Sequence, residues 1–242
     1  MVRLKMLRQI NWEKLIVRIV FATLVISAIF VIVMLISAPM ETDSSMGEDV
    51  RTKSDYMLML VQCILGIFAL FLPGLIEHKI NIIIPSRMMI AYALFLYAAI
   101  YLGEFRDFYY VVPHWDNILH CFSGGMLGTL GFSLIVLLNK TDRVPMHLSP
   151  IFVALFALCF AVTMGVVWEI YEFTVDGILG LNMQKYALRD GTPIVGREAL
   201  TDTMHDLIID IIGAGVISIM GYISLKYKKG WLEAYILRKK RL

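Results

Sequence analysis

The chain has 242 residues, 59% of them hydrophobic and only 17% charged, with a mean hydropathy of +0.73. Soluble domains carry about 25% charge, so this composition excludes an ordinary soluble globule and points to a membrane protein. The net charge is only +2, and no basic run interleaves with aromatics on a polar domain, so no nucleic-acid partner is expected. Cys63, Cys121 and Cys159 lie in apolar runs with no CxxC pair, so they read as small buried hydrophobes, not as a disulfide or redox set.

A hydrocarbon core about 30 Å thick needs about 20 helical residues. In chain order, six apolar runs meet that length, at about 16–38, 55–76, 82–103, 116–138, 150–173 and 203–225. The first follows a basic segment, but its apolar stretch from Ile19 to Ala38 is too long for a signal-peptide core of about 7–15 residues. Ser149 and Pro150 form an N-cap and first-turn pair that starts the fifth run. The expected fold is all-α, a single integral membrane domain over 1–242 with six transmembrane helices. The 174–201 segment, rich in Gly, Pro and charge, reads as a lid-like loop. The tail KYKKGWLEAYILRKKRL reads either as a basic amphipathic helix on an anionic leaflet or as a stop-transfer anchor with a frayed end.

Six spans put both termini on one side. That side holds 16 of the 22 basic residues: Arg3, Lys5, Arg8, Lys14, Arg18, Lys79, Arg87, Lys140, Arg143, Lys226, Lys228, Lys229, Arg238, Lys239, Lys240 and Arg241. The other side holds Arg51, Lys53, Arg106, Lys185, Arg189 and Arg197. The positive-inside rule therefore makes both termini cytoplasmic, in a multi-pass protein of the inner membrane. Acidic residues distribute the other way: only Glu13, Glu77, Asp142 and Glu233 fall on the cytoplasmic side. Glu41, Asp43, Glu48 and Asp49 make an ordinary acidic outer loop.

The remaining carboxylates are drawn into the membrane by length. Only the 15 residues from Ile211 to Leu225 separate Asp210 from Lys226, a rise of about 22 Å. The last helix must therefore immerse Asp210 and Asp206, and Asp202, Asp206 and Asp210 share one face with His205 close by. In the fourth run, His120 sits at the outer hydrocarbon edge with Asp116 one turn above it. In the fifth, 21 uncharged residues from Leu148 to Trp168 deliver Glu169 and Glu172 to the same depth. Charges there cost roughly 2.5–3.5 kcal/mol at the helix centre and less towards the interface. They are tolerable facing inward, where protons, a basic partner or a cation offsets them. Arg106, Lys185, Arg189 and Arg197 are too few to do so, which favours a divalent metal or shared protons. Helical carboxylate and Glu-x-x-His sets hold metals in this way; such donors suit Zn, Mn or Fe, and an oxygen-only subset suits Mg. Asp116, His120, Glu169, Asp202, His205 and Asp206 are the candidate metal ligands, with Glu172 and Asp210 as candidate catalytic bases.

Competing readings make Asp202 and Asp116 helix caps, Glu172 and Asp176 solvated headgroup charges, and His114 and Glu104 interfacial loop residues. His78 and His147 lie on the cytoplasmic side, away from the site. Tyr109, Tyr110, Trp115, Trp168 and Tyr171 read as an aromatic belt. Gly124, Gly125, Gly128, Gly213 and Gly215 read as close-packing faces.

The order WDNILHCFSGGMLG, FALCFAVTMGVVWEIYEF and LTDTMHDLIIDIIGA resembles the YjdF-like family of bacterial inner-membrane proteins from about Gly103 to Gly221. It is more distantly similar to VanZ-like membrane proteins. The resemblance implies a shared polar site at Asp116, Asn117, His120, Ser123, Gly124, Trp168, Glu169, Glu172, Asp202, Asp206, Asp210 and Gly213, and it names no chemistry. The expected function is a metal-dependent enzyme acting on a lipid or lipid-linked substrate from an outward-facing pocket. A cation- or proton-coupled transporter, or a structural or assembly protein, is the alternative. The transporter reading wants polar residues continuing to the inner face, and Ile211–Leu225 carries only Ser218, Tyr222 and Ser224.

Overall fold

The structure is a computed structural model that describes residues 11–40, 51–139, 148–188 and 191–240. The acidic loop residues Glu41, Asp43, Glu48 and Asp49, the positions Lys140, Asp142, Arg143 and His147, and Arg189 lie outside the described residues, as do Arg3, Lys5, Arg8 and Arg241.

Helix α1 runs Trp12–Ser37, its first turn capped by the Asn11 side chain, which accepts from the Lys14 N–H at 3.1 Å. Helix α2 runs Lys53–Ile80 behind a capping box, with Thr52 and Asp55 each bonding the other's backbone N–H. Helix α3, Ser86–Leu96, continues as a π-helix over Tyr97–Phe105. The short α4 spans Phe108–Val111, α5 spans Trp115–Asn139, and α6 spans Pro150–Leu179. Ser149 caps α6 ahead of Pro150, as its sequence requires, and Gly180 ends it in the left-handed region at φ 63°. A 3-10 turn, Glu198–Leu200, leads into α7, Thr201–Lys226. Six helical stretches are long and apolar enough to cross a membrane, in the expected order.

Helix α1 starts four residues early, at Trp12, and α2 ends four late, at Ile80; three further differences change the architecture. The third span begins at Ser86 because Ile82 and Ile83 form a strand, β1, paired antiparallel with β2 at Arg238–Lys239. The fifth span continues to Leu179, so the loop behind it is shorter than 174–201. Over its described residues, to 240, the tail is neither an amphipathic helix nor a frayed end. It folds back under the bundle, burying Leu232 and Leu237, while the Trp231 N–H donates to Ser224 Oγ at 3.0 Å and the Leu237 N–H to Ser133 Oγ. Backbone donors in an apolar setting require such acceptors. The pairing also puts the α2–α3 turn and the tail at one end of the molecule.

The helices pack as two groups. Helices α1, α2 and α3 surround an apolar core of Val20, Leu24, Cys63, Leu70, Ala93, Leu96 and Ile100. Helices α5, α6 and α7 pack tightly on one another, with α3 touching α5. The outward faces are rich in exposed Ile, Leu, Phe and Val, including Ile26, Ile36, Phe68 and Ile170, which suits contact with lipid tails. Cys121 and Cys159 lie on such faces; only Cys63 is the buried hydrophobe expected.

Candidate metal centre

The N-terminal turns of α5 and α7 meet the C-terminal part of α6 at the end of the bundle remote from the β1–β2 pair. Helical spacing stacks Asp116 over His120 on α5, and Asp202, Asp206 and Asp210 on α7. His120 is buried between them. Its Nε2 lies 3.8 Å from Asp116 Oδ1 and 3.8 Å from Asp206 Oδ2, and its Nδ1 lies 3.5 Å from Asp210 Oδ2. One donor atom each from Asp116, His120 and Asp206 fall within 4.8 Å of one another, a spacing able to close on one cation. Asp206 and Asp210 are each 2% exposed and Glu169 5%.

Asp210 stands behind His120, where it accepts from Ser123 Oγ at 3.2 Å. Two glycines make room for it. A Cβ on Gly165 would collide with the Asp210 carboxylate, and one on Gly124 would come within 2.5 Å of the Asp210 carbonyl oxygen. Below this level α5 and α7 touch backbone to backbone. A Cβ on Gly128 would lie 3.5 Å from Ala214, and Gly213 rests on the Cys121 carbonyl. The small-residue faces expected at Gly124, Gly125, Gly128 and Gly213 are thus contacts; Gly215 faces open space.

Of the four outer cations, Lys185 reaches the cluster. Its ammonium sits on Asp116 Oδ2 and 4.3 Å above the centre of the Tyr109 ring. Burial alone would lower the Lys185 pKa, but the Asp116 and Asp202 carboxylates outweigh it and hold it above the ordinary lysine value. The backbone of Lys185 is left-handed at φ 50°, a conformation that persists in a non-glycine residue only when its surroundings impose it. The Asn182 side chain bridges Ala187 on both sides, at 2.8 and 3.1 Å. The Asp176 carboxylate accepts from the Met183 and Gln184 N–H groups at 2.8 and 2.9 Å. The Gln184 amide reaches Thr203 Oγ1 at 3.1 Å. These bonds tie the described part of the loop to α6 and α7, with Lys185 on the cluster. Arg106 and Arg197 are exposed, and Arg51 pairs with Asp107 at 2.6 Å.

Several expectations need correction. Asp176 is buried and ties down the loop; it is not a solvated headgroup charge. Glu172 is only half-buried, one turn beyond Glu169 on α6. Asp202 caps nothing: Leu200 is the cap residue of α7 and makes no side-chain bond, and Asp202 lies in the first turn. Asp116 likewise lies within α5, spent on Lys185. His205 is exposed and outside the trio, while His114 is the exposed loop residue anticipated. Tyr109 is not a belt residue: it lies under Lys185, and its hydroxyl pKa is pushed well above the ordinary value by burial and then by Asp116. Glu104 belongs to the π-helix and accepts from Gln62 Nε2 at 3.1 Å. Length arithmetic applied to the third span would have found it, since twenty residues counted from Ser86 end at Phe105. Ser123 was named by the family resemblance alone, and Gln184 and Asn182 carried no signal.

Four buried polar atoms around the cluster have no hydrogen-bond partner among the described residues: His120 Nδ1, Asp206 Oδ1 and both oxygens of Glu169. Buried polar groups are otherwise satisfied in more than nine cases of ten, and an unpaired carboxylate is the costliest exception. The donor set of carboxylates and one imidazole is one that divalent metals accept.

The sequence profile of the DUF2238 family, described as "Predicted membrane protein", matches residues 16–227. An uncharacterised protein of Thermotoga maritima is 32% identical over 147 residues, 59% of this chain and 66% of that protein, so the match spans about two thirds of the relative's length. No solved structure matches the chain. With six membrane-spanning helices and a profile match that covers most of its length, the chain belongs to the DUF2238 family of predicted membrane proteins.

Proposed function

We propose that this protein is a YjdF-like inner-membrane metalloenzyme, with both termini cytoplasmic, that acts on a lipid or lipid-linked substrate at the outer leaflet. The observation that carries this reading is the set of buried, unpartnered donors around Asp116, His120 and Asp206. Asp116, His120 and Asp206 would hold a divalent ion between α5 and α7. Such an ion would supply Lewis-acid polarisation of an ester or phosphoryl oxygen.

The other residues serve this centre. Asp210, fixed by Ser123, orients the His120 ring from behind, the carboxylate–imidazole arrangement that sets which nitrogen faces a metal. It is therefore a positioning residue. Lys185 offsets the charge of Asp116 Oδ2 and leaves Oδ1 turned towards His120. Glu172, half-buried nearer the mouth, is the general base that takes a proton from the attacking water. Residues 180–188, which carry Lys185 to Asp116, would shield the centre from bulk water.

The transporter reading is disfavoured by what lies beneath. Ser218 Oγ is buried and unpartnered eight residues below Asp210, but the backbone contacts at Gly124, Gly128 and Gly213 fill the space between. A cluster that only fixed helix register would not leave both Glu169 oxygens without a hydrogen-bond partner among the described residues.

Elemental analysis of detergent-purified protein, beside His120→Ala, tests the proposal. Near-stoichiometric Zn, Mn, Fe or Mg in the parent, lost from a variant with the same elution volume, is the expected result. A folded parent without metal after supplementation would overturn it and turn attention to protons shared among the carboxylates.

A further inference from the structure

One ion on Asp116, His120 and Asp206 leaves part of the site unexplained. Asp206 turns Oδ2 towards His120, while its other oxygen, Oδ1, is buried with no hydrogen-bond partner among the described residues. Glu169, on the neighbouring helix and outside the trio, is 5% exposed with both oxygens in the same condition. Asp206 and Glu169 are within electrostatic reach of each other. Three buried anionic oxygens thus remain beyond the trio, supplied by α6 and α7.

Charge points the same way. The meeting ends of α5, α6 and α7 bring together Asp116, Glu169, Glu172, Asp202, Asp206 and Asp210. Among the described residues, one ammonium, that of Lys185, sits on them. A single divalent ion would leave about half of that negative charge unbalanced in a low-dielectric setting, whereas a pair brings it close to balance.

From these observations we infer that the site takes two divalent cations, with Asp206 as the carboxylate that bridges them and Glu169 as the principal ligand of the second. The donors of the second position are oxygens, which selects a hard ion such as Mg²⁺ or Mn²⁺. Paired ions of this kind stand about 3.5–4 Å apart, within the span of one carboxylate. The inference rests on the metal reading above and goes beyond it in the number and kind of ions.

Loading the detergent-purified full chain with Mn²⁺ tests it, with Mn per chain from elemental analysis and the spin-coupling pattern from electron paramagnetic resonance. Two ions per chain are expected, with the multiline spectrum of a coupled pair. Glu169→Gln should retain one ion and lose the coupling, and Glu169→Asp should keep the carboxylate and recover part of the second. One ion in the parent, or two that survive Glu169→Gln, would overturn the inference and leave the single-metal reading standing. No ion in the parent would overturn both. Infrared spectra serve where a variant misfolds. A protonated-carboxyl band in the Mn-loaded parent, absent from a Glu169-labelled difference spectrum only after isotope editing, would mean that Glu169 holds a proton instead of an ion and would also sink it.

Discussion

The two three-helix groups solve the same problem by opposite means. Both sit where lipid tails are as apolar as leucine, so neither gains much from the hydrophobic effect and each must hold by packing and polar contacts. The α1–α3 group does so with interlocked aliphatic side chains: Leu24 and Cys63 are fully buried there. The α5–α7 group replaces bulk with proximity. Glycines bring its backbones together, and buried His120, Glu169, Asp206 and Asp210 cluster between its helices. The first group can tolerate a shift of side chains; the second ties its chemistry to helix spacing. A functional site belongs in the second, because ligands held by backbone contacts move little.

The largest effect should come from the aliphatic group. Leu24→Ala removes a fully buried side chain and should cost about 2–4 kcal/mol, read as a lower Tm in detergent. Its metal content per folded chain should not change; a parallel loss of metal would show that the two groups are not separable. Gly124→Ala comes next. Its Cβ meets the Asp210 backbone, so α5 and α7 must part, at about 1–3 kcal/mol and with loss of metal. Gly66→Ala is its counterpart in the first group. There the obstacle is the tip of Ile100, which can rotate, and the better helix propensity of alanine, about 1 kcal/mol, offsets the crowding. Equal Tm changes for the two glycines would break the comparison.

Lys185→Met should loosen metal binding about tenfold, the lower end for residues that orient a ligand, and expose 180–188 to faster amide exchange. Unchanged affinity would mean that Asp116 needs no partner. The same latch has a signed pH dependence. Because the folded Lys185 pKa is raised, its contribution is fully present below the unfolded value of about 10.4 and is lost as pH rises through the folded pKa. Amide protection of the loop, corrected for intrinsic exchange, should therefore hold steady from neutrality to about pH 10 as far as Lys185 decides it. A loss near pH 8 would point to another group. The smallest effect belongs to Ser123→Ala, which removes one hydrogen bond to Asp210, about 1 kcal/mol, with metal retained.

What was legible without coordinates had a physical marker in the chain. The length of each apolar run determined the six spans, and the shortfall between Asp210 and Lys226 drew Asp206 and Asp210 into the protein interior. Helical periodicity placed Asp116 over His120. Tertiary structure alone decided which of these groups meet. It chose Lys185 over Arg106 and Arg197, set Asp210 behind His120 and left His205 outside, because a face on one helix says nothing about how neighbouring helices are rotated. The course of the described tail and the start of the loop after α6 escaped the sequence for the same reason. Their conformations are settled by distant acceptors, Ser133, Ser224 and Asp176, that satisfy backbone donors. Those long-range hydrogen bonds leave no periodic trace in the sequence, whereas the cost of charge and of unpaired backbone in lipid does.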